Sequence, residues 1–401
     1  MREPRIAVVG GGPAGATAAR RLSESGARVT LFEARPDAEK PCGGGIPARA
    51  VEEFPELADA ALPRRVVHRV VIHAPSGATA GIELPDGIHI FSRHALDSVL
   101  RRRAVDSGAG LVTARVTGVR RLGSKGGGGR GDGGWSLATA EGETGPFDLL
   151  IGADGVQGAV RRAVAPPWQG GELTLALYAY VAGPSQHARV SPEASEMILK
   201  FFGDFDGYLW VFPRTDHVSV GICARHRSVD PTRLRDELQR FVEDHYPAWR
   251  FPPEALKGYF IPAAHRPAAS RSRDAARWAL VGDAAGTADP LTREGIAHAM
   301  RSAASVARAI AAGRRLRTPP IPLDTLRAHH LGHGFFRRSF LESLVRLARD
   351  SPAIREILAD LHEGRQPYRS LKARLVGGIF RAAGDVGLKN LIQAARGAGS
   401  F

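Results

Sequence analysis

Apolar and polar positions alternate in short blocks at the start of the chain. Arg5–Val9 and Arg28–Phe32 are apolar runs of strand length, and the alanine-rich segment Pro13–Ser25 between them has helical spacing. Gly26 stands where such a helix would end. The pattern predicts a strand, a turn, a helix and a second strand, which is the order of a β-α-β unit.

The same patterns predict further elements along the first half of the chain. Strands are expected at Val66–His73, Ile82–Ile90, Leu111–Arg121 and Phe147–Ile151, and an amphipathic helix at Arg93–Ser107. The glycine-rich segment Gly123–Gly134 has too few apolar residues to pack a core. We interpret it as a flexible hairpin loop of no function.

The second half of the chain begins with a different pattern. Leu173 to Cys223 contains long β-rich runs with aromatic residues, which predict an antiparallel sheet, and Thr232–His245 predicts a helix in the same region. A short buried strand is expected at Trp278–Val281, followed by a helix over Glu294–Ala312. Three prolines between Thr318 and Pro322 then break the chain before a basic helical tail.

A glycine-rich motif joins the first strand to the first helix. The motif has the form GxGxxG and is made by Gly10, Gly11, Gly12, Pro13, Ala14 and Gly15. Its glycines permit a tight turn and a close approach of the backbone to a pyrophosphate, which the N–H groups of the helix can bind. Glu33, followed by Ala34 and Arg35, ends the second strand, where a carboxylate can accept ribose hydroxyls. This motif alone does not distinguish NAD from FAD, and a plain glycine turn is the alternative.

Two later segments favour FAD. Asp154 and Gly155 follow one predicted buried strand, and Gly282, Asp283 and Gly286 follow another. A carboxylate at the carboxyl end of a parallel strand can bind a ribityl chain. A helix beginning near Gly295 and Ile296 can stabilise the negative charge of a reduced flavin. Arg93 is placed to meet the pyrophosphate, with a solvated surface arginine as the alternative.

Together the three segments resemble the FAD monooxygenase and reductase superfamily that includes p-hydroxybenzoate hydroxylase. The resemblance implies an α/β plus α+β architecture with a glutathione-reductase-like, Rossmann-type FAD-binding domain. We expect a discontinuous FAD-binding domain (1–75, 90–165 and 268–315), an inserted antiparallel β-sheet substrate domain (76–89 and 166–267) and a basic helical C-terminal region (316–401). One departure is visible: the serine of the superfamily pattern ADGxxSxVR is missing from Ala153–Arg161.

Composition narrows the class of protein. With 43% apolar and 24% charged residues and no long apolar stretch, the chain is typical of a soluble globular protein, which we expect in the cytoplasm. Its two cysteines, Cys42 and Cys223, exclude a disulfide framework and a four-cysteine metal site. The net charge of +14 is typical of proteins that bind nucleic acid, but no recognition motif accompanies it, so we expect no nucleic-acid partner. We also expect no bound metal.

Two further stretches resemble the geranylgeranyl reductases, particularly those of chlorophyll synthesis. Lys40–Pro47 reads KPCGGGIP, and Tyr208–Pro213 reads YLWVFP, followed by Asp216–Gly221. The resemblance implies that the loop containing Cys42, Gly43 and Gly44 lies against the isoalloxazine, with Cys42 assisting as proton donor or only packing there.

The alternating aromatics of the second stretch suit a hydrophobic substrate. Tyr208, Trp210 and Phe212 share one face of a strand and can wall an apolar slot for isoprene units, although ordinary sheet core is the alternative. The expected reaction is saturation of isolated C=C bonds by hydride transfer from reduced flavin. NADPH or another reductant is expected as a transient electron donor, because no second dinucleotide motif is present.

Other functions remain open at this point. The sequence of the proline-containing loop Thr287–Glu294 is more similar to that of hydroxylases than to that of chlorophyll-type reductases. An FAD monooxygenase of a small aromatic or polyketide-like compound is therefore the main alternative. A halogenase or a redox-sensing flavoprotein fits less well. In the tail, Phe336, Phe340, Leu344 and Leu347 follow helical spacing among arginines. Such a helix can lie on an anionic membrane or, more commonly, pack on its own protein.

Overall fold

The computed structural model describes residues 3–123, 134–182, 196–247, 249, 253–263, 277–313 and 335–386. The strands are β1 Arg5–Val9, β2 Arg28–Phe32, β3 Gly45–Pro47, β4 Arg64–His73, β5 Thr79–Phe91, β6 Gly110–Val112, β7 Gly118–Arg121, β8 Trp135–Thr139, β9 Gly142–Phe147, β10 Leu149–Gly152, β11 Leu173–Ala182, β12 Glu196–Phe201, β13 Gly207–Pro213, β14 His217–Arg225, β15 Lys257–Pro262 and β16 Trp278–Leu280. The helices are α1 Pro13–Glu24, α2 Ala48–Glu53, α3 Arg93–Asp106, α4 Ala159–Val164, α5 Pro231–His245, α6 Ile296–Ala311, α7 Arg338–Asp350, α8 Pro352–His362 and α9 Tyr368–Val386.

The first of two compact units contains residues 1–40, 94–169 and 261–322. Its centre is a parallel sheet with the strand order β16-β10-β1-β2-β6. Apolar residues of β1 such as Ile6 and Val8 are fully buried with the small residues of α1 and α6. A second core on the other face of the sheet joins it to the antiparallel strands β7-β8-β9 through Trp135, Leu137 and Phe147.

The second unit contains residues 41–93, 170–260 and 323–401. Its sheet has the order β15-β11-β14-β13-β12-β4-β5-β3; from β11 to β3 the neighbouring strands are antiparallel except for the parallel pair β12 and β4. The amphipathic α5 covers one face, where Leu234, Leu238 and Phe241 are buried against Leu209 and Val211. The mixed α/β fold with an antiparallel sheet and C-terminal helices is thus confirmed.

Three predicted boundaries differ from the structure. Residues 41–75 group with the large sheet rather than with the nucleotide-binding unit, because β4 pairs with β5 and β12. The expected strand Leu111–Arg121 is two strands, β6 and β7, which belong to different sheets. The C-terminal helices are part of the second unit instead of a separate region. Most of the glycine-rich segment 123–134 lies outside the described residues.

The tail helix α7 packs within its own unit. Phe336, Phe340 and Leu344 are buried, and Leu347 is half-buried. The rings of Phe335 and Phe336 contact Phe201 of β12. The apolar face that would have entered a lipid surface is therefore used inside the fold. Among the described helices, none is both long enough and apolar enough to cross a bilayer.

Candidate functional site

The turn after β1 can be built only with glycine. Gly10 has a φ of +101°, a left-handed value that other residues rarely adopt, and a side chain there would also overlap the Ala153 carbonyl. A β-carbon on Gly15 would overlap the carbonyl oxygen of Gly10. Gly12 begins α1 with Pro13 in its first turn, and no side chain caps this end of the helix. These features fit a helix start that receives phosphate groups.

Glu33 is held in place beside this turn. Its Oε2 accepts a hydrogen bond from the Gly11 N–H at 2.7 Å, and its Oε1 accepts one from the Arg35 N–H at 2.8 Å. Each carboxylate oxygen can accept a second hydrogen bond. The carboxylate next to Ala34 is therefore fixed with capacity left for ribose hydroxyls.

Arg101 supports the same turn, although its position gave no sign of this in the sequence. It is 7% exposed, and its guanidinium donates hydrogen bonds to the Gly11 carbonyl at 3.3 Å and to the Pro36 carbonyl at 2.5 Å. The run Arg101–Arg103 shows three arginines in a row, and only the fold identifies which one is buried. Arg101 thus joins the segments that follow β1 and β2.

Asp154 lies against Gly158, which stands where the superfamily pattern has serine. Its Oδ2 accepts a hydrogen bond from Val160 N–H at 2.7 Å, in the first turn of α4, while Oδ1 is buried with no hydrogen bond of normal geometry among the described residues. A side chain at Gly158 would occupy the space of this carboxylate. Burial raises the pKa of Asp154 to about 6, because a desolvated carboxylate is disfavoured.

The pKa of Asp154 predicts a pH-dependent stability. A carboxyl whose pKa rises from 3.8 to about 6 on folding lowers stability as pH increases through that window, and the full penalty is present above it. Asp154→Asn cannot ionise. We expect the FAD-free variant to be more stable than the parent at pH 8, by up to about 3 kcal/mol, and equally stable near pH 4. Urea unfolding of both proteins at the two pH values measures the difference.

The control for this prediction is a carboxylate whose ionisation stabilises the folded protein, so its removal should have the opposite effect on stability. Asp230 caps α5 by accepting the Thr232 N–H, and this hydrogen bond lowers its pKa. Asp230→Asn should therefore destabilise the protein at pH 8 more than at low pH. A change for Asp154→Asn that is the same at both pH values would contradict the assigned cause.

The segment after β16 lies against the glycine turn. Gly282 packs so closely on Ala14 of α1 that a β-carbon on it would stand 2.9 Å from the Ala14 side chain. Asp283 forms an ion pair with Lys40 at 2.9 Å, and its Oδ1 lies 3.7 Å from the position of a β-carbon on Gly295. Gly295 precedes α6, whose first residue is Ile296; the Glu294 carboxylate accepts the Ala297 N–H of its first turn at 2.7 Å. The Asp283 carboxylate therefore faces a helix N-terminus.

Trp168 completes this part of the unit. A β-carbon on Gly286 would stand 2.9 Å from the indole ring, whose Nε1 donates to the Val156 carbonyl at 2.8 Å. The guanidinium of the buried Arg161 lies 3.8 Å above the ring. Trp168 stands in a proline-rich stretch and carried no signal in the sequence.

The loop between Gly286 and Gly295 is built on a buried carboxylate. Asp289 is 3% exposed, and its Oδ1 accepts hydrogen bonds from Leu291 N–H and from the N–H and hydroxyl of Thr292. Arg293 has a φ of +60°, which is unusual for a residue with a side chain. The loop that departs from the reductase pattern is thus a tightly bonded turn.

The aromatic strand β13 lies near the centre of the sheet in the second unit. Trp210 is 6% exposed, and its Nε1 donates to Ser219 Oγ at 3.2 Å across the strand pair with β14. Tyr208 and Phe212 are half-buried on the same face. Ser219 and Gly221 leave room for these rings; a side chain at Gly221 would overlap the indole.

The loop containing Cys42 packs on this strand. A β-carbon on Gly43 would stand 2.6 Å from the ring of Phe212. Gly44 has a φ of +85°, and its carbonyl accepts the Phe91 N–H at 3.0 Å. Cys42 is half-buried, and its Sγ accepts the Gly44 N–H at 3.3 Å. The two stretches that resemble geranylgeranyl reductases are therefore in contact.

The structure divides the predicted site residues between its two units. The first unit brings together the glycine turn, the residues after β2 and the segments after β10 and β16, namely Gly10, Gly12, Pro13, Ala14, Gly15, Glu33, Ala34, Arg35, Asp154, Gly155, Gly282, Asp283, Gly286, Gly295 and Ile296. The second unit contains Cys42, Gly43, Gly44, Arg93, Tyr208, Trp210 and Phe212. Arg93 is 3% exposed, which excludes the solvated alternative. Within the described residues, no group of three His, Cys, Asp or Glu is placed to bind a metal ion.

Comparisons with known proteins agree with these features. The FAD binding domain family matches residues 3–330. The geranylgeranyl diphosphate reductase of Synechocystis sp. is 34% identical, and the alignment covers 77% of this chain and 75% of that protein. The chloroplastic enzyme of the same name from Oryza sativa subsp. japonica is 31% identical, with 82% and 71% covered. The digeranylgeranylglycerophospholipid reductase of Methanoculleus marisnigri is 31% identical, with 80% of each covered.

Solved structures share the fold. A geranylgeranyl bacteriochlorophyll reductase-like protein from Thermoplasma acidophilum superposes with a TM-score of 0.72 at 22% identity, covering 94% of this chain and 100% of that one. A flavin-dependent brominase superposes with a TM-score of 0.61 at 16% identity, with 94% and 99% covered. At these identities, the likeness concerns the fold alone.

Proposed function

The chain belongs to the FAD binding domain family and, within it, to the geranylgeranyl reductases, and from this membership we propose that it saturates isolated C=C bonds of an isoprenoid or similar hydrophobic substrate. It is an FAD-dependent oxidoreductase. The observation that carries the proposal is the packing of the Cys42 loop on the aromatic strand. The two sequence motifs that this chain shares with the family are therefore in direct contact in the structure.

The first unit fits the cofactor. Its glycine turn lacks any side chain where phosphates would approach, Glu33 has acceptor capacity, and Asp283 faces a helix N-terminus. We infer that these groups bind the pyrophosphate, the ribose and the ribityl chain. Reduced FAD supplies the hydride for the reaction, and NADPH or another reductant is the proposed transient electron donor.

The second unit is proposed to bind and protonate the substrate. An isolated alkene has no carbonyl to polarise, so positioning in a dry, apolar site must supply most of the acceleration. Tyr208, Trp210 and Phe212 provide an apolar face for an isoprene chain. One alkene carbon gains hydride and its neighbour gains a proton, which we assign to Cys42 Sγ–H. The resulting thiolate regains its proton from water, and the substrate gains two hydrogens per bond.

Anaerobic turnover tests the proposal. Dithionite-reduced protein is expected to add hydrogens in pairs to geranylgeranyl diphosphate, and mass spectrometry of the extracted product counts them. Protein without FAD serves as the control. If neither geranylgeranyl compounds nor prenylated quinones gain hydrogen, the proposal is rejected.

The second candidate is an FAD monooxygenase of a small aromatic or polyketide-like compound. It is favoured by one observation, the proline-containing loop built on Asp289, which differs from the chlorophyll-type reductase pattern. This candidate predicts oxygen consumption that is stimulated by substrate and a hydroxylated product. The same purified protein distinguishes the two functions when it is assayed with NADPH in air.

Peripheral membrane contact stays a prediction. The apolar face of α7 packs within its own unit, so four exposed arginines would have to make the contact by charge: Arg337, which precedes the helix, and Arg338, Arg346 and Arg349 on it.

A further inference from the structure

A fully buried arginine follows the aromatic strand. Arg214 is 1% exposed and ranks among the largest completely buried side chains. A guanidinium is kept out of water only when its charge and donors are satisfied by the protein. Its Nη2 donates a 2.6 Å hydrogen bond to the backbone carbonyl of Cys42, and its charge lies 4.8 Å from the centre of the Tyr180 ring. The proposed reaction gives this buried charge no role so far.

The Cys42 carbonyl has a second donor on the same pair of strands. Ser219 Oγ donates to it at 3.4 Å while accepting the Trp210 indole N–H at 3.2 Å. The loop is thus attached to β13 and β14 through its backbone. Together with the bond between the Gly44 carbonyl and the Phe91 N–H, this carbonyl anchors the loop backbone and so the Cys42 thiol.

His217 sets the position of Arg214. Arg214 Nη1 lies 3.0 Å from His217 Nε2, and because a guanidinium can only donate, Nε2 must be the acceptor and carry no proton. The ring proton is therefore on Nδ1, which donates to Asp216 Oδ1 at 2.9 Å. His217 therefore accepts from Arg214 on one side of its ring and donates to Asp216 on the other.

Other groups also contact His217. Among the described residues, its recognised neighbours are Asp216, Arg214 and the ring of Tyr180, whose centre lies 4.8 Å from the imidazole. Arg65 donates to the Arg214 carbonyl from β4 at 3.1 Å and adds positive charge nearby.

We propose that Arg214 is a positioning residue for the Cys42 loop and that His217, as the acceptor of its guanidinium, holds Arg214 in place. The effect on the loop follows from the contacts alone, whereas the effect on turnover rests on the proposed function. The two consequences can therefore be tested separately.

Hydrogen exchange tests the anchor without any substrate. Arg214→Met should make the amides of residues 41–47 exchange roughly tenfold faster or more, because a charged hydrogen bond is lost. Arg225→Met is the matched control: Arg225 lies on β14 and pairs with Asp206 instead of with the loop. The control should leave residues 41–47 unchanged. Equal exchange in the parent and Arg214→Met, or faster exchange spread evenly over β13 and β14, overturns the anchor.

Turnover tests the roles of His217 and Arg214. His217→Gln keeps a side-chain oxygen that can accept from the Arg214 guanidinium and should retain most of the parent kcat, whereas His217→Leu offers no acceptor and should lower kcat. Arg214→Met should lower kcat by up to about 100-fold with little change in KM, and Arg214→Lys should restore part of it, because one donor remains.

The outcomes separate the two proposals. A kcat for His217→Leu equal to that of the parent overturns the role of the imidazole. Faster loop exchange in Arg214→Met together with no turnover by the parent leaves the anchor standing and rejects the reductase function.

Discussion

Purified Gly15→Ala protein is expected to be colourless and to bind FAD at least about 100-fold more weakly than the parent. The added methyl group would overlap the carbonyl oxygen of Gly10, and the turn cannot move aside. Gly10 already has a left-handed φ of +101° and lies directly against the Ala153 backbone. The start of α1 would therefore shift away from β1, and its N–H groups would no longer be positioned to donate hydrogen bonds to the phosphates.

The matched control is Gly118→Ala in the same unit. A β-carbon there meets only the Ala138 side chain at 3.8 Å, which is an ordinary contact. This variant should stay yellow with one FAD per chain, as measured by visible absorbance and by calorimetric titration of the FAD-free protein. Circular dichroism confirms that Gly15→Ala is folded, and Glu33→Gln, which adds no clash, should weaken binding about tenfold. Folded Gly15→Ala that keeps one FAD would reject this turn as the cofactor site.

The nucleotide-binding part of the fold was predictable because its signals are local. Strand β1, helix α1 and strand β2 agree with the apolar runs to within one residue. Glycine and proline mark the turns between them, and the period of apolar positions changes at each boundary.

Pairing between distant strands was not predictable in the same way. β4 has the apolar pattern of a buried strand, and nothing within it shows that it joins β12 rather than β1. Likewise, the apolar character of Leu111–Arg121 hides a break after Val112, where the chain leaves one sheet for another. Such choices depend on neighbours far along the chain.

In the candidate site, too, the residues marked by local motifs were predictable and those placed by long-range contacts were not. Glycines and carboxylates in motifs could be named because the turn or the ligand requires that residue type. The supporting basic residues Arg101 and Arg214 could not be named, because the chain has 55 lysines and arginines and their spacing does not reveal burial. Asp154 was recognised as a motif residue, but its use as the cap of α4 appears only in the structure.

Cys42→Ala is expected to lower the anaerobic rate of substrate reduction by at least about 100-fold, because general acid catalysis typically contributes that much. Dithionite should still reduce the flavin at the parent rate, since the thiol has no part in that step. Cys42→Ser keeps the shape of the side chain but provides a weaker acid, so little activity should return. Stopped-flow absorbance follows the flavin, and mass spectrometry follows the product.

Cys223→Ala is the matched control for this prediction. Cys223 is the other cysteine of the chain, is 1% exposed, and lies on β14 opposite Tyr208. Its removal should leave the rate of substrate reduction within about threefold of the parent, because only packing changes. If Cys42→Ala reduces substrate as fast as Cys223→Ala, the proton comes from another group. In that case the Cys42 loop contributes only the shape of the apolar face that Phe212 and Trp210 provide.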